Sequence, residues 1–174
     1  MRQLLAILLL TLPLAIHATP QTCLVVGVSD GDTLKARCGP GGSYKAIKVR
    51  LNGIDAPERR QPFGERAKRA MSSLVYMREA ELDCIDVDRY GRSVCKVMVA
   101  PASAPGGPKT LDAGLAMVTL GMAWWYRAYA REQTAQERGQ YEFAEAQARA
   151  NRVGLWRDAD PMPPWEWRHA ERGD

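Results

Sequence analysis

Two aspartates at an expected turn are the first residues with types and spacing suited to chemistry. Asp30 and Asp32 stand two residues apart in Val28-Ser29-Asp30-Gly31-Asp32-Thr33-Leu34, at the mouth of a hairpin. Carboxylate oxygens are hard ligands of the kind that could bind a divalent cation. Asp-Gly is also a common turn dipeptide, and this segment alone favours a plain turn. A metal role therefore depends on what other segments contribute.

A second group of charged residues follows an apolar stretch. Within residues 49–58, Arg50 precedes Asp55 by five residues, and Glu58 ends the segment. Pro57 stiffens the backbone there and so helps to fix the direction in which Glu58 points. A solvated loop with scattered charges is the alternative interpretation.

The third segment is Asp88-Arg89-Tyr90-Gly91-Arg92, whose composition is typical of another hairpin connection. Alone it favours a plain turn, but Arg92 could face the same end of a sheet as the other two segments. Together the three segments offer carboxylates for a metal, Glu58 for a water molecule, and the forks of Arg50 and Arg92 for a phosphate.

Histidine chemistry is disfavoured, because the chain has two histidines. His17 lies in a leading segment that we expect to be removed, and His169 lies near the C-terminus. Mechanisms that need a histidine pair or a Ser-His-Asp triad are therefore nearly excluded. Acid–base work falls to carboxylates, tyrosine, lysine or metal-bound water.

The elements that must position these residues are predicted from hydrophobic periodicity and turn residues. The predicted strands are 23–28, 33–38, 44–51, 81–85 and 93–99. The predicted helices are 64–77, 111–120 and 132–152, and residues 100–108, rich in Pro, Gly, Ser and Ala, are predicted to form an exposed loop. This order predicts an α+β fold, a five-stranded antiparallel OB-type β-barrel with about three helices.

The N-terminal residues are typical of a secretory signal. One basic residue, Arg2, precedes an apolar stretch that ends before the small residue Ala18, and this stretch is shorter than the roughly 20 residues that span a bilayer. We expect residues 1–18 to be a signal peptide and 19–174 to be a single domain, with its core over 23–156 and a tail over 157–174. An uncleaved membrane anchor is the alternative. The expected location is periplasmic or secreted, with no membrane span in the mature protein.

Export bears on the four cysteines, because an oxidising compartment lets thiols pair. Two antiparallel hairpins would place Cys23 opposite Cys38 and Cys84 opposite Cys95. These are the favoured pairs among three possible connectivities, and four buried free cysteines are the alternative.

Composition adds weaker constraints. The chain has 174 residues, 46% hydrophobic and 25% charged, which suits one compact domain. Its net charge of +4 is compatible with a phosphate-bearing partner, although solvated basic faces are common. No feature indicates an obligate protein partner.

The three charged segments, in this order, resemble the staphylococcal nuclease (thermonuclease) family. The similar motifs are D-G-D-T, then V-R-L-x-G-I-D-A-P-E, then D-R-Y-G-R, and the resemblance continues through residues 111–121 and 144–148 to Gly154-Leu155-Trp156. It covers roughly residues 23–156, which is nearly the whole expected mature chain.

The resemblance implies an enzyme, a Ca²⁺-dependent nuclease acting on DNA and/or RNA. It implies that Asp32, Asp55 and the backbone carbonyl of Ala56 bind Ca²⁺, with Asp30 behind them through water. Glu58 would orient or deprotonate the attacking water. Arg50 and Arg92 would hold the phosphate and stabilise the charge that develops on it.

Further residues are candidates for binding the nucleic acid through phosphate contacts and base stacking. They are Arg89, Tyr90, Tyr126, Arg127 and Tyr129. For four tryptophans packing is the preferred role: Trp124, Trp125, Trp165 and Trp167.

The sequence departs from the best-known family member at two places. Ala56 replaces a threonine, which leaves the backbone carbonyl in place, and the segment from Arg59 to Gly64 is shorter than that member's loop. Two rival interpretations are a catalytically silent OB-type nucleic-acid-binding module and a disulfide-stabilised structural or adhesion module.

Overall fold

A computed structural model describes residues 20–173 of the chain. The predicted signal segment, residues 1–18, lies outside the described residues, so the structure does not test it. No helix within the described part is long and apolar enough to cross a membrane.

Five strands between residues 21 and 99 form the closed barrel that the sequence predicts. The barrel strands are β1 (Gln21–Val28), β2 (Thr33–Cys38), β3 (Lys45–Leu51), β5 (Glu79–Val87) and β6 (Ser93–Val99), hydrogen-bonded in the order β3-β2-β1-β5-β6. The four pairs within this order are antiparallel, but β3 and β6 close the barrel as a parallel pair. Three two-residue strands are added: β4 (Ile54–Asp55), β7 (Leu111–Asp112) and β8 (Trp124–Trp125).

Alternation along the barrel strands fills its interior. Because successive side chains of a strand point to opposite faces, every second residue is buried. From Leu34 onward in β2, Leu34, Ala36 and Cys38 are buried, whereas Lys35 and Arg37 are exposed. The same inner layer contains Val25, Val49, Leu51, Leu82, Val97 and Val99.

The helices are α1 (Gly64–Val75), α2 (Ala113–Thr119), α3 (Ala135–Ala150) and α4 (Pro164–Arg172). Two 3-10 helices add to them, Arg127–Glu132 and Gly154–Arg157. Residues 20–173 thus contain one α-helix more than the expected number of about three, because α4 lies in the tail, where the sequence predicts no element.

Local capping explains where two helices begin. Thr134 and Glu137 form a capping box, so α3 begins at Ala135 rather than at the predicted residue 132. Asp112 accepts hydrogen bonds from the backbone N–H groups of Gly114 and Leu115, so α2 begins at Ala113, after β7.

A small second core connects the C-terminal tail to the domain. Trp124 packs edge to face against Trp156 and Trp165, with ring centroids 5.4 Å and 6.4 Å apart. Ala148 and Leu155 are buried in the same cluster. The predicted packing role suits Trp124 and Trp165, and Trp165 anchors α4.

Both favoured cysteine pairs are disulfide-bonded in the structure. Register explains them, because Cys23 lies opposite Cys38 in the β1–β2 ladder and Cys84 lies opposite Cys95 in the β5–β6 ladder. Within the described residues no cysteine is free.

We predict that each disulfide stabilises the fold. Replacing Cys84 and Cys95 together by serine should lower the free energy of unfolding by about 3 kcal/mol, because the bridge closes a short loop in the unfolded chain. Urea unfolding of the oxidised parent and the variant measures this difference. An unchanged unfolding midpoint would contradict it, and reduction of the parent, which opens both bridges, should destabilise the fold more than the double substitution does.

Candidate active site

A cavity of about 780 Å³ opens at one end of the barrel, where the three charged segments meet. All the residues predicted as catalytic or metal-binding line it: Asp30, Asp32, Arg50, Asp55, Ala56, Glu58 and Arg92. Four of the five predicted substrate-binding residues also line it: Arg89, Tyr90, Tyr126 and Tyr129.

The turn between β1 and β2 places Asp32 at the base of the cavity. Its carboxylate accepts hydrogen bonds from the Ala56 backbone N–H (2.8 Å) and from the Thr33 hydroxyl (3.0 Å). Gly31 makes this approach possible, since a Cβ atom there would lie 2.6 Å from the Ala56 Cβ. The first and second segments are therefore joined through the proposed ligand residues themselves.

Arg50 neutralises two of the carboxylates. Its Nη1 lies 2.5 Å from Asp32 Oδ2, and its Nη2 donates a hydrogen bond to Asp55 Oδ1 (3.0 Å). Asp55 is 1% exposed, so its charge depends on such partners. Burial raises the pKa of Asp55, and Arg168 and Arg50 oppose this rise.

Asp30 lies beside Asp32, in the same turn between β1 and β2. Its Oδ1 accepts a hydrogen bond from the Asp32 backbone N–H (3.1 Å). Burial, and then the neighbouring charge of Asp32, raises the pKa of Asp30 to about 7. Near neutral pH this carboxyl is therefore partly protonated.

The turn after β5 holds the Arg92 side chain. Asp88 accepts hydrogen bonds from the backbone N–H groups of Tyr90 (2.9 Å) and Arg92 (3.0 Å) and from the Arg92 Nε (2.7 Å). Slight burial opposes ionisation of Asp88, but the hydrogen bonds from Arg92 and Tyr90 lower its pKa. The exposed Tyr90 ring lies under the guanidiniums of Arg89 and Arg92, at 5.0 Å and 5.4 Å.

One residue of the site has no counterpart among the residues predicted from the sequence. Arg168, on α4, donates hydrogen bonds to both carboxylate oxygens of Asp55 (3.3 Å and 2.8 Å) and to Glu58 Oε1 (2.7 Å). It lies 110 residues from Glu58 in the chain, in a tail without a long periodic pattern. The signal available was a basic residue within an aromatic-rich stretch, which does not indicate a partner.

Arg127 is placed differently from the other predicted substrate-binding residues. It does not line the cavity, and its guanidinium pairs with the buried Glu145 (3.0 Å) and lies 4.4 Å from the Trp125 ring centroid. Glu145 also accepts a hydrogen bond from the Trp125 backbone N–H (3.1 Å). These contacts connect α3 to β8.

The chemistry of the donor set fits a hard divalent cation. Asp32, Asp55 and the Ala56 carbonyl offer oxygen atoms alone, and the two carboxylates are buried side by side. In residues 20–173 no three acidic, histidine or cysteine side chains are arranged as a metal-ion cluster. The guanidinium of Arg50 bridges Asp32 and Asp55, and that of Arg168 bridges Asp55 and Glu58.

Comparison with known proteins identifies the family of the chain. A family model described as "Staphylococcal nuclease homologue" matches residues 48–158, more than half of the chain. The chain belongs to this family. It is 41% identical over 149 residues to the "Micrococcal nuclease" of Shigella flexneri, covering 85% of this chain and 80% of that relative.

Two further relatives extend the match. "Protein ParB" of Escherichia coli is 40% identical over 144 residues, with 83% of this chain and 77% of the relative covered. An "Uncharacterized endonuclease" of Haemophilus influenzae is 37% identical over 166 residues, 95% of this chain and 83% of the relative. The closed five-stranded barrel with its helices is consistent with the OB-type fold of this family.

The raised pKa of Asp30 predicts a pH dependence of stability. In the unfolded chain the aspartate has its ordinary pKa of 3.8, so between about pH 4 and 7 the folded state binds more protons and stability falls as pH rises. Asp30→Asn should remove this decline, so in chelator its advantage in unfolding free energy over the parent should grow from pH 5 to pH 8. The exposed Asp160→Asn is the control, and parallel pH profiles of Asp30→Asn and the parent would contradict the assignment.

Proposed function

We propose that this staphylococcal nuclease homologue is a Ca²⁺-dependent endonuclease that hydrolyses phosphodiester bonds in DNA and/or RNA. The observation that supports this most is the meeting of Asp32, Asp55, Glu58, Arg50 and Arg92 around one cavity. A binding module has no need for a glutamate beside a phosphate site, because a carboxylate repels phosphate. A water-activating residue is needed for hydrolysis.

In this proposal Asp32, Asp55 and the Ala56 carbonyl hold Ca²⁺, with Asp30 behind them through water. The bound cation supplies positive charge for the phosphate oxygens. Arg50 would become available for the phosphate once the cation, rather than Arg50, neutralises the charges of Asp32 and Asp55.

Glu58 and the arginines carry the hydrolysis. Glu58 accepts a proton from the water that attacks the phosphorus, the P–O bond to the leaving oxygen breaks, and that oxygen takes a proton from solvent to leave as a hydroxyl group. Negative charge develops on the equatorial oxygens, where the forks of Arg50 and Arg92 stabilise it. A guanidinium held in a fixed orientation stabilises this charge better than a mobile cation does. The contacts with Asp88 fix the orientation of Arg92.

Aromatic residues at the cavity edge suit the bases of the substrate. Tyr90 and Tyr129 are 67% and 46% exposed, and the Tyr129 ring lies 5.2 Å from that of Tyr126. Such rings stack on bases with little regard for sequence. Arg89 adds a cation beside Tyr90, whereas Arg127, which is paired with Glu145, is left out of this set.

A basic strip on the outer face of β2 and β3 leads away from the site. Lys35 lies opposite Lys48, two residues along the strands from the Thr33–Arg50 pair and on the same face of the sheet. Arg37 follows on this face, two residues after Lys35 in β2. Like charges directly opposite each other destabilise a sheet. Among the described residues none of these three has an ion-pair partner, so a phosphate backbone suits the strip.

Export is part of the proposal. Two disulfides suit an oxidising compartment, which agrees with a periplasmic or secreted location.

The metal is tested directly. Cleavage of a short DNA strand should require Ca²⁺ and stop in chelator, and the double variant Asp32→Asn with Asp55→Asn should lose Ca²⁺ binding in calorimetry, because both carboxylates are then neutral. Full activity in metal-free buffer would overturn the mechanism. Binding without cleavage by the parent protein would favour a silent binding module.

Glu58 and Arg92 should differ in what they affect. Glu58→Gln should lower single-turnover cleavage about 10²- to 10⁴-fold and leave binding of a non-cleaved strand intact or slightly tighter. Arg92→Ala should lower cleavage about 10²- to 10³-fold and weaken binding as well, because it removes a phosphate partner. Parent-like turnover by Glu58→Gln would remove its assigned role.

The basic strip should contribute through electrostatics. Lys35→Gln with Lys48→Gln should weaken binding of single-stranded DNA and flatten the dependence of log affinity on log salt by about 0.7 for each phosphate that the variant no longer neutralises. The double variant Arg69→Gln with Arg157→Gln removes the same charge away from the cavity. Equal effects of the two double variants would mean that net charge, not the strip, sets binding.

A further inference from the structure

We propose that Arg168 is a positioning residue of the active site, which holds the Glu58 carboxylate in place through the C-terminal helix. The inference rests on the proposed function, because it assigns Glu58 to the attacking water. It adds to that function a residue beyond the part of the chain matched by the family model, residues 48–158.

The helix that carries Arg168 is fixed from two sides. Trp165 packs against Trp124 and also against Tyr126, whose ring centroid lies 5.4 Å away. Gln61 Nε2 donates a hydrogen bond to the Met162 carbonyl (2.6 Å) just before the helix. Arg168 therefore reaches the cavity from a docked element rather than from a free tail.

Gln61 connects the same helix to the backbone of Glu58. Its Oε1 accepts a hydrogen bond from the Glu58 backbone N–H (3.0 Å). Residues 56–63 contain no helix or strand, so the direction of the Glu58 side chain is not set by regular structure. The tail thus contacts this loop at two side chains, through Met162 at Gln61 and through Arg168 at the Glu58 carboxylate.

The guanidinium of Arg168 bridges two carboxylates. Nη1 donates to Asp55 Oδ1 and to Glu58 Oε1, and Nη2 donates to Asp55 Oδ2. Asp55 is buried at the base of the cavity, so the fork fixes Glu58 relative to an immobile group. Over residues 20–173 no other side chain bonds to the Glu58 carboxylate.

One oxygen of the Glu58 carboxylate stays free of Arg168. Arg168 binds Oε1, and Oε2 has no partner in the described structure. The Glu58 side chain is 39% exposed, so water reaches it. A glutamate that is held by one oxygen and hydrated at the other keeps an acceptor for the proton of the attacking water.

The test is a double-mutant cycle of single-turnover DNA cleavage in saturating Ca²⁺. Arg168→Gln should lower the rate about 100-fold, the size expected when a catalytic group is misplaced by about 1 Å, with unchanged binding of a non-cleaved strand. Arg168→Lys keeps the charge but not the two-pronged guanidinium, so its cleavage rate should lie between those of the parent and Arg168→Gln. In a Glu58→Gln background, Arg168→Gln should cost almost nothing, since it acts through Glu58.

Controls separate the other outcomes. Arg157→Gln removes one exposed arginine near the tail and should cleave like the parent, and thermal unfolding checks that each variant is folded. If Arg168→Gln does not fold, the Arg168→Lys cycle gives the decision. Equal rate reductions in both Glu58 backgrounds would overturn positioning.

A blocking role for Arg168 predicts the opposite sign. Arg168→Gln would then cleave faster than the parent at low Ca²⁺, and this result overturns the proposal. An inactive parent protein would overturn the proposed function together with this inference. An active parent with parent-like Arg168→Gln would overturn this inference alone.

Discussion

The pairing of Arg50 with Asp32 and Asp55 is the interaction on which the site depends. It brings a strand cation between two carboxylates from different segments, in a place where neither charge is well hydrated. Removing one member of such a buried set leaves an uncompensated charge, which costs about 3 to 5 kcal/mol. The Ala56 N–H bond to Asp32 then connects the backbone of the second segment to the first. Because these contacts cross between segments, the cavity forms only when the barrel closes.

The barrel and most of the site could be predicted from the sequence because their signals are local. Alternation marked all five long strands, and the two hairpin registers gave both cysteine pairs. The three charged segments lie at turns or strand ends, so closing the barrel gathers Asp30, Asp55 and Arg92 at one end. The parallel β3–β6 pair and the two-residue strands could not be predicted, since short pairings leave no periodic pattern.

The tail shows where local signals end. Helix α4 is short, and its stability comes from Trp165 packing on residues about 40 positions earlier in the chain. Arg168 meets Asp55 across 113 residues, a contact that no spacing rule could indicate. Arg127 is the converse case, because a basic residue between tyrosines is typical of nucleic-acid contact, yet the buried Glu145 requires a cation. For Arg168 and Arg127 alike, the sequence did not indicate which buried acid lies beside the arginine: Asp55 in the first case and Glu145 in the second.

The Cys84–Cys95 bridge also bears on where the protein is active. It joins the two strands that carry the Asp88–Arg92 turn, and Arg92 lies three residues from Cys95. The bond therefore closes the base of the hairpin that presents Arg92, the arginine proposed to bind phosphate. A newly made chain in a reducing compartment lacks this bond, and its hairpin is held by the ladder and the Asp88 contacts alone. Oxidation after export would then complete the site, so the producing cell would hold its nuclease in a less ordered form while its own nucleic acids are within reach.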